Sequence, residues 1–183
     1  MILLLTKRFL YNKLNKKGGF MKLLITTLLS LVLLTGNINA EEGSYDIVYV
    51  GEHNLNSVNT PEGTVTGGKL EGIFKVTNST GKLYVKGDNG KSTCIILSKK
   101  NKNKKSSDLE AFCETTDLKT GDKTFSYNVR KEGTVESGSK GKGKQTIIGG
   151  TGKFKGITGV CNYTVEYLPE NRLTTMGICN YKI

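Results

Sequence analysis

Beyond residue 40, apolar and polar side chains alternate with a period of two, and no long stretch shows the 3.6-residue period of a helix. Successive side chains of a β-strand point to opposite faces. The alternation therefore predicts strands with one face on a core and the other in water. The clearest apolar faces are Leu70, Gly72, Phe74 and Val76; Phe125, Tyr127 and Val129; and Cys161, Tyr163, Val165 and Tyr167.

Turn-forming sequences separate these stretches at short spacing, among them Asp-Asn-Gly at 88–90 and Pro-Glu-Asn at 169–171. We therefore predict an all-β fold, a single antiparallel β-barrel of eight or nine short strands that occupies 41–183 as one domain. The predicted strands are 45–51, 69–77, 82–87, 91–98, 109–116, 123–131, 143–148, 158–168 and 172–182.

The same alternation predicts which side chains face the barrel interior. A hairpin around 169–171 sets Tyr163 opposite Gly177, and a large residue facing a small one is typical of a packed lumen. We expect the lumen to be mostly filled, with at most a small pocket near one end. The aromatic residues placed inward are Phe74, Phe125, Tyr127, Tyr163 and Tyr167.

The four cysteines all lie beyond residue 40, and none belongs to a C-x-x-C pair. They allow three disulfide pairings, and two disulfides are the default in an oxidising compartment. The hairpin loop at 169–171 sets Cys161 opposite Cys179, and a hairpin centred in the Lys-rich segment brings Cys94 opposite Cys113. Opposed strand positions have Cβ atoms about 4.5–5.5 Å apart, near disulfide range, so these local pairings are favoured.

Residues 1–40 have the features of a targeting region. A basic start at Met21 and Lys22 precedes an apolar run of twelve residues at 23–34, and 38–40 resembles a cleavage site. The run is too short for a hydrocarbon core of about 30 Å, which needs about 20 residues. A signal peptide at 21–40 is favoured over an uncleaved anchor. We expect a secreted or periplasmic protein with no stable membrane anchor after cleavage.

Residues 1–20 fit a signal peptide poorly because they are basic and interrupted. The sequence Lys-Lys-Gly-Gly-Phe before Met21 can be encoded by a purine-rich stretch that resembles a bacterial ribosome-binding site. We expect translation to start at Met21, which makes 1–20 a spurious extension. An unusually long basic start is the alternative.

The net charge falls when the targeting region is removed. Residues 1–40 hold six of the 27 Lys and Arg and none of the 16 Asp and Glu, so the net charge drops from +11 to +5. The remaining excess lies in two Lys clusters, at 99–105 and 140–144, which we interpret as solvated loop tips. Neither cluster is interleaved with aromatic residues, so a nucleic-acid partner is disfavoured.

No catalytic, metal or cofactor signature stands out. The glycine-rich segment 149–159 lacks the order of a phosphate-binding loop and predicts a turn in which Phe154 and Ile157 plug one end of the core. The segment 117–122 has too few carboxylates for a calcium loop. The single histidine, His53, is interpreted as a surface residue. We therefore predict no catalytic residue, no metal and no cofactor.

Part of the chain resembles known proteins. The stretch 123–136 and the segment 149–159 look like a group of small secreted bacterial proteins without assigned function. The Gly-Gly-Thr-Gly-Lys-Phe-x-Gly element is also similar to the corresponding hairpin of allene oxide cyclase and dirigent barrels. The resemblance covers roughly the C-terminal third and implies a barrel that binds or orients an apolar small molecule in its interior. No residue here matches the catalytic residues of those barrels.

Three functional hypotheses follow from the sequence. The leading one is a non-catalytic binding or structural domain whose interior holds a small apolar molecule. A barrel-type isomerase or cyclase acting on such a molecule is the alternative. The third is a secreted interaction module that uses its Lys-rich loops against an acidic surface.

The proposed cleavage site makes a direct prediction. Exported protein should begin at Glu41, because the small-residue site ends at Ala40. N-terminal sequencing of the protein recovered outside the cytoplasm checks this. Exported material that begins at Met1 or Met21 would contradict it.

Overall fold

The computed structural model describes residues 41–183, which form eight antiparallel β-strands in a closed barrel. Each strand pairs with its neighbours in the chain, and the first strand closes the barrel by pairing with the last. A single 3₁₀ turn, Gly152–Phe154, precedes the seventh strand. The strands are β1 (Glu42–Thr60), β2 (Gly63–Ser79), β3 (Asn89–Asn101), β4 (Asp108–Asp117), β5 (Lys123–Arg130), β6 (Lys140–Gly150), β7 (Thr158–Tyr167) and β8 (Arg172–Lys182).

The prediction of an all-β antiparallel barrel is confirmed, but one predicted strand is wrong. Segment 82–87 is a loop between β2 and β3 rather than a ninth strand. A closed meander of antiparallel strands needs an even number, because the first and last strands must also run in opposite directions. The apolar residues of this loop serve another purpose, since Tyr84 is buried in the core.

Two disulfides cross-link neighbouring strands on opposite sides of the barrel. Cys94 of β3 bonds to Cys113 of β4, and Cys161 of β7 bonds to Cys179 of β8. Both pairs occupy directly opposed positions, as the hairpin registers predict, and both line the lumen. Each closes a loop of about 20 residues, which contributes about 3 kcal/mol in the chain-entropy model.

The face of β5 differs from the prediction. Phe125 and Tyr127 lie on the outer surface, where Tyr127 packs against Phe112 with ring centroids 4.8 Å apart. The reason is the disulfide in the neighbouring strand. Cys113 faces the lumen, and its direct partner on β5 is Ser126, so even-numbered residues of β5 must face inward. The buried residues of this strand are Thr124, Ser126, Asn128 and Arg130.

The barrel end at which β1 begins, here called the upper end, is closed by aromatic side chains. The Tyr45 and Tyr84 rings stack at 3.9 Å, and Phe154 packs against Tyr84 at 5.1 Å. Phe154 and Ile157 are almost completely buried, so the glycine-rich segment plugs this end as predicted. The glycines allow the tight turn, since Gly152 and Gly156 both have positive φ.

Loss of the upper plug should destabilise the barrel. Phe154→Ala removes a side chain that is 2% exposed and should lower the free energy of unfolding by about 3–5 kcal/mol through the cavity it leaves. The control Phe112→Ala truncates a ring that is 60% exposed and should cost about 1 kcal/mol or less. Urea unfolding followed by circular dichroism measures both. Equal losses would contradict the plug.

Candidate ligand site in the barrel lumen

The lumen contains a cavity of about 130 Å³ lined by residues from all eight strands. Its lining runs from Tyr45 and Tyr84 near the upper end to Arg130 and Leu173 near the opposite end, here called the lower end. The cavity is therefore not confined to one end, in contrast to the expectation. Small inward residues such as Ala111 and Gly177 leave space that the large aromatics do not fill.

One side of the cavity combines apolar side chains with tyrosine rings. It is formed by β1, β2, β7 and β8, which are adjacent around the closed barrel. These side chains continue into the core clusters at both ends of the lumen. They can bind a ligand through apolar contact alone. The apolar lining residues are Ile47, Leu70, Phe74, Val165 and Leu173.

The opposite side of the cavity carries most of its amide and hydroxyl groups. It is formed by β3, β4, β5 and β6, and these polar groups, which mostly bond to one another, lie beside apolar residues of β3 and β4 such as Ile96 and Leu109. Gln145 donates to Ser126 Oγ at 2.8 Å, and Thr115 donates to Ser92 Oγ at 3.0 Å. Asn128 Nδ2 lies 3.2 Å from the sulfur of Cys113. These groups would give a bound molecule an orientation, because one of its faces would meet polar partners.

Arg130 is the one charged side chain that lines the cavity within residues 41–183. It ends β5 at the lower end and is only 2% exposed. Its Nη2 donates to the carbonyl oxygen of Thr134 at 3.1 Å and to the hydroxyl of Tyr167 at 3.3 Å. The guanidinium carbon lies 5.2 Å from the centre of the Tyr167 ring, a cation–π distance.

Two of the three guanidinium nitrogen atoms of Arg130 are left without a partner. Nε and Nη1 are buried and make no hydrogen bond to any residue in 41–183, and no carboxylate in that range forms an ion pair with the guanidinium. Buried charges in proteins are normally paired because an isolated one is expensive to desolvate. This side chain is the clearest departure from that rule in the described chain.

Two glycines of β6 provide the space for the large side chains at this level. A Cβ on Gly141 would lie 2.9 Å from Arg130 Nη1, and one on Gly143 would lie 2.3 Å from Cζ of Tyr163. The alternation Lys-Gly-Lys-Gly-Lys at 140–144 is therefore a strand with glycines inward and lysines outward. The prediction of a loop tip here is wrong, although the lysines are exposed as expected.

The lower end is covered by the loop between β5 and β6, residues 131–139. Its backbone bonds to the barrel rim, where Gly138 N–H donates to the carbonyl oxygen of Tyr167 at 2.8 Å. Val135 packs against the core clusters that contain Leu173 and Leu109. The loop thus covers the cavity at the end where Arg130 lies and contributes the Thr134 carbonyl to it.

Tyrosine hydroxyls line the cavity in their neutral form. Burial raises the pKa of Tyr163 to about 12 and raises the pKa of Tyr49 and Tyr167. The hydroxyl of Tyr49 has no hydrogen-bond partner in 41–183 and lies over Gly51 and Gly72. These phenols remain hydrogen-bond donors across the physiological pH range.

The predicted interior residues divide into two groups. Phe74, Tyr163 and Tyr167 line the cavity, whereas Phe125 and Tyr127 lie outside the barrel for the reason given above.

Sequence reasoning missed Arg130, although the strand pairing implied by the hairpin loop could have placed it inward. A hairpin loop at 117–122 makes Cys113 and Ser126 opposite residues, and this sets the even-numbered residues of β5 inward.

The single histidine is not a surface residue as predicted. His53 is half-buried, its ring meets the edge of Tyr167 at 5.5 Å, and desolvation lowers its pKa.

Within residues 41–183, no group of three His, Cys, Asp or Glu side chains is arranged to hold a metal ion. The same part of the chain includes no helix with the length and apolar character to cross a membrane.

Comparison with known proteins finds no family model that matches this sequence and no curated protein similar to it.

The buried tyrosines predict a loss of stability at alkaline pH. The pKa of Tyr84 and of Tyr163 is about 12 in the folded protein, against about 10 in an unfolded chain. Between these values the folded state binds more protons, so the contribution of these tyrosines to the free energy of unfolding should be constant below about pH 10 and fall as the pH rises to 12. Urea unfolding at intervals from pH 8 to 12 measures this, and Tyr84→Phe should flatten the fall. A stability that stays constant up to pH 12 would contradict it.

Proposed function

We propose that the protein is exported and that its barrel binds a small, mainly apolar molecule in the lumen. The observation that supports binding is the cavity of about 130 Å³ inside a barrel covered at both ends. Its volume is close to the roughly 150 Å³ of an engineered protein cavity that binds benzene. A ligand of about the size of benzene, or slightly larger, fits the cavity.

The energetic cost of the cavity favours a role in binding over a purely structural one. At about 24 cal/mol per Å³, an empty apolar void of this volume would cost about 3 kcal/mol relative to a filled core. That is a large share of the 5–15 kcal/mol by which small domains are stable. Ala111 faces the cavity, and a longer side chain there would fill much of it. A cavity that one longer side chain could largely fill is readily explained if it holds a ligand.

Export is supported by the disulfides. Both bonds are internal to the barrel, and stable disulfides are typical of proteins in oxidising compartments. A secreted or periplasmic location agrees with the signal peptide that we infer for 21–40. The barrel-type isomerase or cyclase and the interaction module with Lys-rich loops remain alternative predictions from the sequence.

Filling the cavity should abolish binding without harming the fold. Ala111→Leu adds about three heavy atoms to the lumen and should remove the binding of toluene, a probe close to benzene in size. The control Thr116→Leu adds an apolar side chain on the outer face of the same strand and should leave binding unchanged. Titration of ¹⁵N-labelled protein with toluene, followed by amide shifts at the cavity residues, measures both. No shift in the wild-type protein, or equal shifts in the wild type and Ala111→Leu, would contradict lumen binding.

A further inference from the structure

The unpaired guanidinium of Arg130 restricts the chemistry of the ligand. We propose that the lumen binds a small organic acid, with its carboxylate on Arg130 and its apolar body against the β1, β2, β7 and β8 side. This inference rests on the proposed function, because it names the ligand class of the same cavity. It is carried by a buried cation without a counter-ion that lines a cavity of ligand size.

The unsatisfied donors of Arg130 fit a carboxylate. An arginine presents its N–H groups as a planar fork that matches the two oxygens of a carboxylate. On Arg130, Nη2 is already used by Thr134 and Tyr167, whereas Nε and Nη1 are free of protein partners in 41–183. Nε–H and one N–H of Nη2 lie on the same edge of the guanidinium, so a carboxylate on that edge would accept from Nε, share Nη2 with Tyr167 and neutralise the charge.

The surroundings of Arg130 hold it in place without neutralising it. The Thr134 carbonyl and the Tyr167 hydroxyl fix Nη2, and Gly141 leaves room for the side chain to lie against β6. The one buried carboxylate within 41–183, that of Asp117, ends β4 at the upper end, where it pairs with Lys153 at 2.6 Å. Within residues 41–183, the cationic end of the lumen therefore has no acidic side chain to balance it.

The rest of the cavity sets the size and shape of the acid. About 130 Å³ accommodates a ring or a short branched chain rather than a long fatty acid. Val165 and Leu173 share a core cluster with Tyr167, the hydrogen-bond partner of Arg130, and Leu70 packs against that cluster. The ligand class is thus a compact monocarboxylic acid, for which benzoate is a suitable probe.

The test compares two probes of the same shape. Benzoate and the uncharged benzamide each have nine heavy atoms, so apolar contact and size are matched. We expect benzoate to bind at least tenfold more tightly at pH 7, because charge-assisted hydrogen bonds are about twice as strong as neutral ones and a carboxylate offers no N–H group to the guanidinium. Isothermal titration calorimetry in chloride-free buffer measures both affinities, and repeating it with added chloride shows whether a simple anion competes.

Two variants test whether Arg130 causes the preference for benzoate over benzamide. Arg130→Met keeps most of the side-chain volume but removes the charge, and it should erase the preference for benzoate. Arg172→Met is the matched control, because Arg172 is exposed and pairs with Glu170 outside the lumen; it should keep the full preference. The ligand-free Arg130→Met protein should melt at the same or a higher temperature than wild type, because an unpaired buried charge is removed.

The outcomes separate this inference from the proposed function. Toluene binding with equal affinities for benzoate and benzamide would leave lumen binding intact and overturn the carboxylate site. Binding of none of the three probes would overturn both. If Arg130→Met fails to fold, the affinities of the wild-type protein for benzoate and benzamide still test the carboxylate site. A preference for benzoate that persists in folded Arg130→Met, or chloride that binds as tightly as benzoate, would also overturn the proposal.

Discussion

Closure of the barrel imposes one constraint on all eight strands, because directly opposed residues of neighbouring strands must lie on the same face of the sheet. The Cys94–Cys113 disulfide faces the lumen and therefore fixes the inward positions on β3 and β4. Because paired residues share a face, the inward orientation of Cys113 is passed to Ser126 on β5, then to Ile147 on β6 and to Gly159 on β7. The second disulfide repeats it across β7 and β8. A slip of one residue on any strand would move its whole inward set to the solvent, which two covalent cross-links oppose.

The same constraint brings a polar strand face into the core. On β5 the inward residues include Asn128 and Arg130, while aromatic side chains occupy the outer surface. β6 accommodates this face with glycines, since Gly141 and Gly143 leave room for Arg130 and Tyr163. An unpaired buried cation and an unfilled cavity both reduce stability, and they occur together in one lumen. Unfilled space and unpaired buried charges are found at functional sites, where a geometry suited to a ligand lowers local stability.

The sequence was sufficient for the fold class and the disulfides because alternation and turn spacing are local properties. The hairpin at 169–171 has a defined centre, so the pairing of Cys161 with Cys179 could be predicted. Alternation by itself gives the period of a strand but not which face is buried, and for this reason the predicted inward face of β5 is wrong. The predicted strand at 82–87 is wrong because the apolar residues of this segment cap the upper end instead of alternating along a paired strand. The site depends on Arg130. Its inward position can be predicted only from the register between β4 and β5, because the residues on its face of β5 are polar.

The most direct test of a ligand site at Arg130 is a high-resolution crystal structure of the protein purified from the organism that makes it. We predict non-protein electron density in the lumen, with two oxygen atoms within hydrogen-bond distance of Arg130 Nε and Nη2 and an apolar body directed towards Leu70 and Val165. A lumen in which protein side chains collapse into the cavity, or in which ordered waters alone satisfy the guanidinium even after soaking with benzoate, would contradict it.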